Sequence, residues 1–257
     1  MISSVQGLAF YTIARKEILR VFRIWKQTLL PSVITTSLYF LIFGKFIGSR
    51  VGDMMNHSYI EFIIPGLVMM GVISNSYSNV SSSFFGEKFL KSIEEILIAP
   101  VSNMVVIFGF VIGGVVRGSI VGFLIILVSG FFSDLAISNI GLAVVMIFLT
   151  AGLFSMFGLI NAIYAKRFDD VSIVPTFVLN PLTYLGGVFY SIKLLPVFWQ
   201  RVSLFNPILY IVNIFRYAFL GYSDIPVLRA FIVLVFFLVV VFFFCLHLLK
   251  RGVGLKN

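Results

Sequence analysis

Charge is scarce in this sequence, and what there is leans one way. Of 257 residues, 10 are Asp or Glu against 19 Lys or Arg, and charged residues make up 11% of the chain. With 60% hydrophobic residues, 30 Phe and a mean hydropathy of +1.09, there is too little polar surface for a fold in water. A soluble domain is excluded. Cysteine occurs once, as Cys245 inside an apolar run, so the chain makes no internal disulfide and no cysteine metal cluster, and redox compartment is not indicated. Its two histidines, His57 and His247, are far apart and outside any HExxH-like spacing, so no metal ligand is assigned. A phosphate-binding loop is missing as well. "GKF" at Gly44 to Phe46 lacks the following Ser or Thr and has Tyr39 where the earlier glycine belongs; "IGGVVRGS" from Ile112 to Ser119 has Arg117 and no lysine. No catalytic residue is assigned, and the chain is not expected to be an enzyme. No secretory signal is expected, because the first apolar run follows a basic amphipathic stretch and no small-residue cleavage site comes after it.

What the chain has in abundance is apolar runs of about 20 residues, the length needed to cross roughly 30 Å of hydrocarbon as helix. Six spans are expected, at about Leu29 to Ile47, Tyr59 to Ser83, Val101 to Phe131, Ile140 to Tyr164, Val171 to Tyr190 and Pro226 to Leu249. This gives an all-α polytopic membrane protein of one domain. Arg15, Lys16, Arg20, Arg23 and Lys26 precede the first span, Lys88 and Lys91 follow the second, Lys166 and Arg167 follow the fourth, and Lys250, Arg251 and Lys256 close the chain. Cytoplasmic loops carry the excess of cations, so both ends are expected in the cytoplasm. The other side holds Lys45, Arg50, Asp53 and Glu61, then Asp134, then a longer loop whose Lys193, Arg201, Arg216 and Arg229 run against the rule. The acidic residues all fall at expected span ends or in loops, leaving no intramembrane carboxylate for a proton relay.

Two amphipathic segments stand beside the spans. Before the first, Tyr11, Ala14, Ile18, Val21, Phe22 and Trp25 recur at helical spacing with the cations elsewhere on the wheel, which predicts a basic helix lying on the membrane. Between the second and third, "FFGEKFLKSIEEILIAPVS" places Phe89, Leu90, Ile93, Ile96 and Leu97 on one helical face and Glu87, Lys88, Lys91, Glu94 and Glu95 largely on the other. Glu87 and Lys91 have the favourable i,i+4 order, and Pro100 stops the helix. About 13 residues reach only about 20 Å, too short to span. The segment is either a surface connector or a docking helix.

Polar residues inside the spans supply the remaining clues. Asn75, Asn79 and Ser82, with Ser78 and Ser83 beside them, line one face of the second span and either bond to neighbouring helices or line a substrate path. Gly114, Gly118 and Gly122 make a small-residue face for close packing. Arg117 beside them is read as structural: it snorkels, caps a carbonyl or meets Glu61. In the fifth span Pro175, Asn180 and Pro181 interrupt the helix, and Asp169 or Asp170 caps its start. Asn180 and Thr183 are expected opposite the Asn75 stripe.

"FFGEKFLKSIEEILIAPVS", "AKRFDDVSIVPTFVLNPLTYLGGVFYSIKLLPVFWQ" and "FNPILYIVNIFRYAFLG" together resemble the ABC-2 type transport permeases, over nearly the whole chain. The resemblance implies that Glu87 to Ala99 is the coupling helix that docks on a separate P-loop ATPase, with Glu87, Lys88, Lys91, Glu94, Glu95 and Leu97 as coupling residues. It implies a connecting helix before the first span and re-entrant helices within Ser191 to Gly221. It further implies a homodimer in a bacterial inner membrane that exports a lipid-linked, glycan or hydrophobic small-molecule substrate, with ATP and Mg bound by the partner and no cofactor in this chain. The alternatives are an ion-coupled carrier or an intramembrane enzyme without an ATPase partner.

Overall fold

The structure, a computed structural model, describes residues 2–133 and 137–254, with side chains from Val5 onward other than those of Lys45 and Leu97. Asp134, Lys256 and Asn257 lie outside the described residues. Among those residues the regular elements are helices, with one isolated bridge between Met54 and His57. In chain order they are α1 (Ile2–Arg23), α2 (Trp25–Val51, a π-helix over Phe40–Ile47), α3 (Tyr59–Phe89), α4 (Ser92–Ile98), α5 (Asn103–Ser129) and α6 (Ile140–Tyr164). Next, α7 begins as Phe168–Val174, widens to a π-helix over Pro175–Leu179 and closes as Asn180–Leu185. Then follow α8 (Val197–Ser203), α9 (Pro207–Leu220) and α10 (Val227–Arg251).

Five of these, α2, α3, α5, α6 and α10, are long and apolar enough to cross a membrane. The expected fifth span is different. Its helix starts at Phe168 and ends at Leu185, before Tyr190, and it carries Asp169, Asp170, Pro175, Asn180 and Pro181, so it is not among those five. The helix is not broken at its prolines but widened, because a π-turn relieves the clash between the ring and the preceding carbonyl. The expected capping holds: Asp170 Oδ2 accepts the backbone N–H of Lys166 (2.8 Å) and Arg167 (3.0 Å), which depresses its carboxyl from the usual range. The pair α8 and α9, bent by 90°, is together long and apolar enough to form a broken span or a re-entrant loop, in the segment where re-entrant helices are expected.

Helix α3 is the hub, its core positions from Phe62 to Phe85 almost all buried; it packs on α5, α6 and α9 and is tied to α1 by side-chain hydrogen bonds. Its start is fixed locally: the backbone N–H of Ser58 donates to Glu61 Oε2 (3.1 Å) as half of a capping box. The glycine face of α5 packs as its spacing predicts. A methyl group on Gly114 would strike Ser155 of α6 and, on α3, Val80 and the Ser76 carbonyl, so alanine there forces the helices apart, whereas one on Gly118 would strike the Ser76 hydroxyl, which must turn away.

The segment between α3 and α5 departs from the expected single helix. α3 runs on to Phe89, Lys91 takes a left-handed backbone at φ 60°, and α4 is only seven residues, Ser92–Ile98, about 10 Å long. Aromatic packing extends α3: Phe85 and Phe89 both meet Phe168 at the start of α7, at 5.0 and 4.8 Å between ring centres. With the break at Leu90–Lys91, Glu87 and Lys91 are not an i,i+4 pair of one helix, and Phe89 and Leu90 are exposed while Ile93 is buried.

Candidate coupling elements and substrate pathway

The C-terminal end of α3 is held from two sides. Lys16 of α1 forms an ion pair and hydrogen bond with Glu87. Lys88 Nζ reaches the other way, donating to the carbonyls of Ile163 (2.6 Å) and Ala165 (2.7 Å) at the end of α6. Helix ends leave such carbonyls without intrahelical partners and carry partial negative charge, so an ammonium there is doubly favoured. Glu87 and Lys88, assigned to the coupling face, therefore point into the protein. Lys91, Glu94 and Glu95 are the exposed charges of that segment, and Leu97 lies in α4 with its side chain undescribed.

Helix α1 also brackets the far side of α4. Gln6 Nε2 donates to the Pro100 carbonyl (2.7 Å), and its Oε1 accepts the Ser102 N–H (2.8 Å). Between these anchors α1 turns Ile13, Ala14, Glu17 and Val21 inward, packing on α5 and reaching α3 through Glu17. Of the apolar face expected from the wheel, Ala14 and Val21 are buried against the protein, while Tyr11, Phe22 and Trp25 are exposed. One expectation is corrected here, that no carboxylate is buried. Glu17 is fully buried, accepts the Ser83 hydroxyl (2.7 Å) and lies 3.9 Å from Arg20. Burial raises its pKa against the opposing pull of Ser83, Arg20 and Lys16, and lowers that of Arg20.

The polar stripe on α3 faces this clasp and α2. Arg20 donates to the Asn79 carbonyl (3.2 Å) and to Ser82 Oγ (3.0 Å). Asn75 Nδ2 donates to Ser32 (3.0 Å), and its Oδ1 accepts from Arg117 Nε (3.2 Å) and Nη2 (3.0 Å). Arg117 thus caps a side-chain amide and not Glu61, which is engaged at Ser58. Asn79 is fully buried, and its amide finds no partner among the described residues. A groove of about 210 Å³ lined by Ser32, Thr35, Thr36, Tyr39, Ser74 and Asn75, among others, opens between α2 and α3. The hydroxyls of α2 were missed in the sequence, although Thr28, Ser32 and Thr36 recur every four residues; each donates to the carbonyl four residues before it. Thr183 is buried and donates to Leu179 O in its own helix (2.7 Å), while Asn180 is exposed; neither hydrogen-bonds to the stripe.

At the opposite end of α3, Arg216 of α9 is fully buried. It donates to the Gly187 carbonyl (2.6 Å), lies 3.9 Å over the Phe62 ring and 3.9 Å from Asp224. Asp224 accepts from Ser191 Oγ (2.6 Å) and Tyr222 OH (2.7 Å). Arg216, one of the cations that ran against the charge rule, is thus an internal ion of a folded hairpin, and Asp224, whose side chain is buried beside it, is a second internal carboxylate. Phe62 and Ser83 are about 30 Å apart along the helix, so Glu17 and Asp224 belong to separate networks.

Residues 8–220 match the ABC-2 type transporter family. The chain is 54% identical to the inner membrane transport permease YadH of Escherichia coli (strain K12), over 97% of this chain and 98% of that one. It is 24% identical to nodulation protein J of Sinorhizobium fredii (strain NBRC 101917 / NGR234) over 88% of each, and 22% identical to nodulation protein J of Rhizobium leguminosarum bv. viciae over 95% of each. With the family match reaching from α1 to the end of α9, and a relative similar along nearly its full length, the chain belongs to the ABC-2 type transporter family.

Proposed function

We propose that this chain is the single-domain permease of an ABC exporter in a bacterial inner membrane, with both ends in the cytoplasm, working as a pair of copies driven by two separate P-loop ATPases. Family membership implies the ATPase partner, and the name of the Escherichia coli relative supports the membrane assigned. ATP and Mg belong to that partner. The observation that carries the mechanism is the bracing of α4: α1 is bonded to the chain on both sides of it, at Glu87 and at Pro100 and Ser102, and to the polar stripe through Arg20.

Docking of an ATPase on Lys91, Glu94 and Glu95 would therefore move α4, α1 and the base of α3 together. Because α3 runs unbroken for 31 residues, displacement at its base is delivered to Asn79 and Asn75 and, through Lys88, to the end of α6. Nucleotide-driven closure then favours whichever arrangement of the stripe and the α2 groove makes the better contacts, the only route by which ATP can shift access from inside to outside. Asn75, Asn79 and Ser82 line the pathway in this reading, with Asn180 and Thr183 contributed from α7, and Arg117 holds Asn75 in place. The substrate is lipid-linked, a glycan or a hydrophobic small molecule.

The test is reconstitution of the permease with its ATPase in vesicles, followed by a screen of such compounds for stimulated hydrolysis and ATP-dependent movement. Stimulation that requires both chains supports the reading. Transport driven by an ion gradient without the ATPase would overturn it in favour of a carrier.

A further inference from the structure

The widened turn of α7 opens a cavity of about 290 Å³ between α3, α6, α7 and the start of α9, lined by Tyr77, Phe154, Phe157, Asn161, Val178 and Leu182 among others. Among the described residues, no charged side chain lines it. An apolar cavity of about 150 Å³ in a protein core stays dry and accepts benzene, so one of roughly twice that volume takes an alkyl segment or a fused aromatic. Tyr77 lines the cavity while only 1% exposed, and its hydroxyl makes no hydrogen bond of good geometry among the described residues, although the Asn161 side chain is close to it. A buried hydroxyl left in this state costs free energy that a ligand acceptor or donor recovers. Asn161, beside it, is tied by its amide to the Val171 carbonyl (3.1 Å). Val174, Val178 and Leu179, which border the π-turn or lie in it, form one wall, and π-turns recur at functional sites. Tyr164 and Val178, both about half exposed, flank the opening.

We infer that this cavity binds one neutral apolar chain carrying a single hydrogen-bonding group, taken laterally from the bilayer. A phosphate or sugar headgroup finds no charge and too few polar groups here, so it stays outside while the chain inserts, and the hydroxyl, ester or amide group of the chain meets Tyr77. The chain belongs either to a resident membrane lipid or to the transported molecule. Binding itself stands on the packing geometry; only the second source rests on the exporter reading.

The experiment uses the permease with its ATPase in lipid nanodiscs and two photoreactive probes. One is a long-chain primary alcohol with a mid-chain diazirine, the other a phosphatidylethanolamine with the same group on an acyl chain. Adducts are mapped by mass spectrometry. Labelling within residues 154–164 and 174–182, competed by unlabelled long-chain alcohol and abolished in Val178→Trp, is the expected result. Tyr77→Phe keeps the ring and weakens competition by the alcohol roughly two- to tenfold, the range of one hydrogen bond, without changing competition by the corresponding alkane. Labelling by the phospholipid alone identifies a resident lipid; labelling by the alcohol that falls during ATP turnover identifies a transported chain. Adducts confined to exposed positions such as Phe177, or equal competition by alcohol in Tyr77→Phe and the parent, would overturn the site. ATPase activity measured in the same nanodiscs separates that failure from a failure of the exporter reading.

Discussion

Lys88→Met tests the join between α3 and α6. The methionine keeps the apolar stem but removes the ammonium that donates to Ile163 O and Ala165 O. Two hydrogen bonds from a charged donor are worth about 1.5–3 kcal/mol each when shielded, and Lys88 is only half-buried, so water replaces part of the loss. A net cost of about 2 kcal/mol follows, the helix-end charge included. For a chain of this size that lowers the thermal midpoint by about 4–8 °C, measurable on the detergent-purified permease by intrinsic fluorescence at a fixed heating rate. Lys88→Arg, which retains the charge and the donors, should recover most of it. In the complex, Lys88→Met should also reduce substrate-stimulated hydrolysis, because movement of α3 no longer carries α6. An unchanged midpoint would show that water serves those carbonyls and that this join transmits nothing.

Glu17 carries a pH dependence. Its folded pKa is raised above the ordinary 4.5 by burial, so its contribution to seating α1 is full below that value and is lost as pH rises through the folded pKa. The protection of α1 amides against hydrogen exchange, with the intrinsic rate at each pH divided out, should fall from pH 4.5 upward, and Glu17→Gln should flatten that profile; an identical profile in the variant would exclude Glu17 as its source. Asn79→Leu should alter substrate-stimulated hydrolysis while basal hydrolysis and membrane level persist. Loss of folding instead would return Asn79 to a packing role. With Cys245 replaced by Ser, a cysteine at Asp53 should react with an impermeant thiol reagent in intact cells and one at Lys91 should not; the reverse pattern would invert the topology.

Hydropathy revealed the five long apolar helices because each is a single apolar run. The break at Lys91 was hidden because Phe85, Phe89, Ile93 and Ile96 keep one helical period across it; only the packing of Phe85 and Phe89 on Phe168 shows where α3 ends. Glu17 sits among cations on a wheel that reads as surface, and its burial depends on Ser83 and on Gly113 of α5, which leaves room for its side chain. Pairings across 66 or 71 positions, as for Glu17 with Ser83 and Lys16 with Glu87, leave no local trace. The α3 stripe was legible from spacing, and its partners Arg20 and Ser32 were not. In α7, Pro175 announced a disturbance, but a wide turn with a cavity behind it and an interrupted helix share the same residues.

Whether α4 is a docking surface decides the account. Glu94 and Glu95 are exposed and bonded to nothing among the described side chains, so on a free connector their reversal to lysine would change stability by no more than about 1 kcal/mol. Against a complementary ATPase surface the same reversal sets like charges together and costs several kcal/mol of association. The measurement is copurification and substrate-stimulated hydrolysis of the double variant Glu94→Lys with Glu95→Lys, co-expressed with the ATPase. The account predicts that both fall sharply while the membrane level of the permease is maintained; a complex that purifies and couples like the parent would contradict it.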